Sequence, residues 1–129
     1  MSVEEKYREI VKRLLAKTRD REVQWKDDSA GRSHGGVKGA FRVFFPQSSI
    51  FLVYVSPTAA PDFIRLDFTN SKGEVVDSWA VEDEESDWQL LKDLYVQVRH
   101  QALGFEDVLS DIEQAISKKG VIGLQNPSK

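Results

Sequence analysis

VKGAFRVFFPQSSIFLVYV, residues 37–55, decides the fold. Val37, Phe41, Val43 and Phe45 recur at the two-residue period of a strand, the turn-forming Pro46-Gln47-Ser48-Ser49 follows, and Ile50–Val55 is apolar throughout. In that second run Ile50, Leu52 and Tyr54 point one way while Phe51, Val53 and Val55 point the other. Both faces must therefore be covered, which makes it a central strand. Working outward, Glu22–Lys26 alternates around Val23 and Trp25, while Phe63–Thr69 and Val75–Val81 are β-branched or aromatic-rich and bounded by turn residues. With Asn70-Ser71-Lys72-Gly73 as another short turn, five strands in a mainly antiparallel meander are expected.

Helices flank this block. Ser2 and Glu5 stand at capping-box spacing ahead of Val3, Tyr7, Ile10, Val11, Leu14 and Leu15, predicting a helix to about Arg19. Ser86 and Gln89 repeat the box before Trp88, Leu91, Leu94, Tyr95, Val98 and Ala102, predicting a helix over Asp87–Leu103 that Gly104 ends. Phe105, Val108, Leu109, Ile112 and Ile116 mark a third, shorter helix. The expected architecture is a single α+β domain over 1–129, with an N-terminal helix, five strands, and two C-terminal helices packed on one sheet face. The tail 120–129 either frays or is tethered by Val121, Ile122 and Leu124.

The composition supports a soluble globular chain. It has 129 residues, 40% of them hydrophobic, with a formal net charge of −3 and no cysteine. Disulfides, thiol nucleophiles and cysteine-ligated zinc are thus excluded. No run approaches the ~20 apolar residues of a membrane span, and no leader pattern opens the chain, so a cytoplasmic protein is expected. Nucleic acid is a disfavoured partner for a chain of this charge.

DSAGRSHGGVKGAFRVFF, residues 28–45, resembles a phosphate loop in the spacing of Gly31 and Gly36, with Lys38 close behind. Val37 holds the place of the required lysine, however, and Gly39 stands where a helix should begin. The loop leads into a strand, with Ser33 and His34 as solvated polar residues. Neither His34 nor His100 has metal-ligand neighbours at suitable spacing, and no cofactor or metal is expected. The acidic run Glu82, Asp83, Glu84, Glu85 and Asp87 lacks the alternating ligands and glycine of a calcium loop, and its carboxylates suit the start of a helix.

The last hairpin carries the most specific expectation. A three-residue loop with Gly73 left-handed pairs Asn70 with Glu74, and carries Asp67 opposite Asp77 and Arg65 opposite Trp79. Arg42, Arg65, Asp67, Asp77 and Trp79 then form a candidate ligand or partner surface on a polar, aromatic sheet face, with no catalytic residue assigned. Opposed carboxylates would need a cation, a shared proton or solvation. The expected function is a non-catalytic binding or regulatory module, for another protein or a small polar ligand, with a homodimer as a further possibility. The alternatives are a small enzyme acting on a polar substrate through Asp67 and Asp77, and an acidic inhibitor or immunity-type protein using the Glu82–Asp87 cluster.

Overall fold

The capping box at Ser2 forms as spaced. The Ser2 hydroxyl accepts from Glu5 N–H at 3.2 Å and the Glu5 carboxylate accepts from Ser2 N–H at 2.8 Å, opening α1, Val3–Arg19. The computed structural model describes residues 2–29 and 35–123. Gly31, Ser33, His34 and the last six residues of the tail lie outside the described residues. After α1 come β1 (Lys26–Asp27), β2 (Val37–Phe45), β3 (Ser48–Val55), β4 (Phe63–Thr69), β5 (Val75–Glu82), α2 (Trp88–Ala102) and α3 (Phe105–Ser117). The strands lie in the order β1-β2-β3-β4-β5, all antiparallel. This is the expected α+β meander with one helix before it and two after.

β3 is central and buried over six consecutive residues, Ser49–Tyr54. One face, carrying Phe41, Leu52, Ile64 and Leu66, meets Val11 of α1 and Leu91, Leu94 and Val98 of α2, all eight at most 1% exposed. A buried side chain of this size contributes roughly 1.5–3 kcal/mol, so this layer is the main source of stability. The other face has a smaller cluster of Ala40, Phe51 and Val53. α2 lies directly on the strands and beside α1, while α3 packs against α2.

The first strand is shorter than its alternation implies. Only Lys26 and Asp27 pair, opposite Arg42 and Phe41. Val23 and Trp25 are held instead by a helix side chain: Gln101 accepts from Trp25 N–H at 2.7 Å and donates to the Val23 carbonyl at 2.5 Å. An amide side chain thereby takes the place of a strand neighbour, and the Trp25 indole is buried with its N–H donating to Thr18 Oγ1 at 3.0 Å. The expected box at Ser86 and Gln89 does not form. Asp87 is the N-cap of α2 without a side-chain capping bond, and its carboxylate is taken by Arg8 of α1 at 2.9 and 3.0 Å.

Gly39 lies at a register shift in β2 directly under α2. A Cβ there would come within 2.3 Å of the Tyr95 hydroxyl oxygen. Gly39→Ala is therefore expected to cost about 1–3 kcal/mol in chemical denaturation, through overpacking. Removing the oxygen with Tyr95→Phe should recover part of that loss in the double variant. Strictly additive effects would show that the clash is relieved elsewhere.

Candidate functional site

β5 decides which side chains share a surface. The Asn70–Glu74 turn forms as spaced, with Asn70 N–H donating to Glu74 O at 2.9 Å and Gly73 at φ +83°. Thr69 pairs with Val75, but Phe68 pairs with Asp77, leaving Val76 as the extra residue of a bulge. From there onward the register is one residue away from the expected one. Asp67 opposes Ser78, Leu66 opposes Trp79 and Arg65 opposes Ala80.

A slip of one residue moves every side chain to the other face. Asp67 and Asp77 consequently lie on opposite faces, and the expected carboxylate pair does not exist. Trp79 likewise leaves the face of Arg65 for the helix-covered side, where it and Val81 are buried, 7% and 3% exposed. The alternative register would have turned Val76 and Ala80 inward in their place. Burying a large apolar side chain is worth more than the ~0.2–1 kcal/mol at stake in a cross-strand polar pair, so the bulge is the favoured outcome.

Asp77 is left at the rim of the helical side. Tyr7 of α1 stacks on Phe68 at 4.5 Å between ring centroids, and its hydroxyl donates to the Asp77 carboxylate. That bond, followed by burial, pushes the Tyr7 phenol up to about 12. Tyr54 reaches about 12 for a different leading reason, burial, with its donation to Asp62 at 2.8 Å second.

The open face holds one row across the sheet: Lys26, Arg42, Phe51, Asp67 and Ser78. Arg42 lies over the Phe51 ring at 4.8 Å, bonds Asp28 at 3.2 Å and donates to Ser49 Oγ at 3.3 Å. Asp67, 9% exposed, accepts from Arg65 at 2.9 and 3.3 Å and from Ser78 Oγ at 2.6 Å. Of the expected surface, Arg42, Arg65 and Asp67 thus remain together, while Asp77 and Trp79 are separated from them. Three donors already occupy the Asp67 oxygens, and its arrangement with Arg65 and Ser78 orients and neutralises the carboxylate instead of presenting a free base.

The acidic run divides in the same way. Asp87 is bound to Arg8, and Glu85 accepts from Glu82 N–H at 2.5 Å, closing the turn between β5 and α2. Glu82, Asp83 and Glu84 are exposed. Among the described residues no group of three or more His, Cys, Asp or Glu could hold a metal ion, and no helix is long and apolar enough to cross a membrane.

α3 presents a surface that its periodicity alone does not reveal. None of its 13 residues is buried. Phe105, Val108, Leu109, Ile112 and Ile116 form a stripe at helical spacing and are 37–65% exposed. The helix is held at its start, where Phe105 stacks on His100 at 4.0 Å and Glu106 meets Arg21 at 3.6 Å. No protein-family model, curated protein or solved structure matches this chain.

Two measurements separate the carboxylates that the sequence paired. Asp67→Ala should destabilise the protein by about 1–3 kcal/mol in chemical denaturation, since it strands the Ser78 hydroxyl and a guanidinium against a half-buried surface. A loss below about 0.5 kcal/mol would contradict that reading. For Asp77 the readout is Tyr7. A raised phenol pKa means that the neutral form is favoured in the fold, so its stabilisation is complete below the ordinary value of 10 and is lost as pH rises toward 12. Phenolate absorbance should show Tyr7 ionising nearer its ordinary range in Asp77→Asn, with Tyr54 and Tyr95 unmoved.

Proposed function

We propose that this chain is a non-catalytic binding module, that its partner is a protein, and that α3 is the docking element. The observation that carries the reading is an entire helix with an apolar stripe and no buried residue. Forming such a helix leaves large side chains about half in water, forgoing a part of the roughly 1.5–3 kcal/mol that each would gain from full burial, and contiguous patches of this kind mark interaction sites. The polar sheet face offers less. Arg42, Arg65, Asp67 and Ser78 are already engaged with neighbouring groups, and the buried Thr69 hydroxyl on that face is without a hydrogen-bond partner among the described residues. For an acidic inhibitor reading, the exposed carboxylates of Glu82, Asp83 and Glu84 are what the cluster offers among the described residues, since those of Glu85 and Asp87 are bound within the fold. The absence of cysteine fits a cytoplasmic site of action.

A photo-crosslinking amino acid placed at position 112 in the producing cells tests the docking role, with position 12 on the exposed side of α1 as control. Crosslinks to one discrete protein from 112 and none from 12 are expected. Silence at 112, or equal yields from both positions, would remove α3 from any docking function.

A further inference from the structure

From the charges flanking the stripe, we infer that α3 docks into an apolar groove bordered by Lys or Arg on a different protein. The inference rests on α3 being the docking element and names the chemistry of what it meets. Residues 105–117, FEDVLSDIEQAIS, carry four carboxylates, Glu106, Asp107, Asp111 and Glu113, and no Lys or Arg. At 100° per residue, Glu106 and Glu113 border one side of the stripe and Asp111 the other. Glu106 meets Arg21 across an exposed 3.6 Å contact, whereas among the described residues Asp107, Asp111 and Glu113 have no ion-pair partner. An apolar strip about 20 Å long with acid along both borders is complementary to a groove with a basic rim.

The same charges disfavour the other occupants. A second copy of α3 would bring carboxylates against carboxylates along both borders, in either orientation. An anionic bilayer attracts amphipathic helices whose polar face is rich in Lys and Arg, the reverse of this one. On the polar sheet face Phe51 is covered by Arg42 and is 5% exposed, while the exposed Phe44 ring has the Lys26 ammonium 5.9 Å from its centroid, so that face, unlike α3, already carries its own cations.

The probe is a helical peptide of leucine and lysine with a single apolar face, compared with a twin carrying glutamate for lysine, both titrated into the full chain and followed by NMR shifts. Binding of the lysine peptide alone is expected, with shifts at Val108, Leu109, Ile112 and Ile116 and weakening as salt rises. Ile112→Asp should weaken it by about tenfold or more, and Ile116→Asp likewise. Both positions are exposed, so neither change disturbs the core, and circular dichroism confirms that α3 persists. Asp111→Asn with Glu113→Gln should weaken binding several-fold while leaving the apolar stripe intact.

Equal binding of the glutamate peptide, shifts centred on the sheet face, or binding to phosphatidylglycerol vesicles would each overturn the inference. So would self-association of the wild-type chain, seen by sedimentation and abolished by Ile112→Asp. That last result would leave α3 as a docking element, whereas silent crosslinking from position 112 would remove it whatever the peptides do.

Discussion

β5 has to give Trp79 and Val81 to the helices, and most of the molecule's surface chemistry follows from that demand. The turn at Asn70–Glu74 starts the strand in a register that would point both side chains away from α1. Inserting Val76 as an unopposed residue corrects the phase within one step, at the cost of a disrupted ladder position. Trp79 then lies beside Leu66 under α1, where Tyr7 approaches it at 5.8 Å and continues onto Phe68. The correction also sends Ser78 to the open face, where it meets Asp67, and leaves Asp77 to receive the Tyr7 hydroxyl. One extra residue thus converts a pair of repelling carboxylates into two separate hydrogen-bonded acceptors.

Much of the architecture was legible because periodicity reports burial directly. The Ser2 box, the α1 stripe, the two-faced apolar run of β3 and the α2 stripe each name their element and their inward face. What stayed hidden was decided by competition between elements. Gln101 gives no sign in sequence that its amide will hold the backbone of Val23 and Trp25, so alternation there reads as a longer strand. The bulge had a signal, since Trp79 is the largest apolar residue of β5 and belongs in phase with Leu66, yet local turn geometry taken alone points the other way. In α3 the apolar spacing is the same as that of a buried helix. Only the carboxylates beside it, without a basic residue among them, set it apart.

These features distinguish surface groups already engaged with one another from the apolar stripe of α3, which remains exposed. On the open sheet face Arg65, Asp67 and Ser78 close on one another and the Arg42 guanidinium shields Phe51, while the buried Thr69 hydroxyl has no hydrogen-bond partner among the described residues. At the junction of β5 and α2, Arg8 and the Glu82 backbone engage two of the acids. α3 differs in kind: it packs against α2, it is tied by Phe105 and Glu106 at its first turn, and among the described residues none of its stripe is buried. Binding energy is therefore available where the fold itself has not used it.

β5 is also a border of the sheet, eight residues long, with Val75 and Val76 more than half exposed. Such an edge invites another molecule to extend the sheet by adding its own strand. Here the bulge interrupts the regular spacing of donors and acceptors at the most apolar point, and Glu74, Asp77 and Glu82 line the strand and its approach with like charge. Two such edges brought together would set carboxylate against carboxylate on a ladder already out of step. The acidic run beyond Val81 prolongs that barrier, so the same irregularity that seats Trp79 in the core also disfavours stacking edge to edge into a continuous sheet.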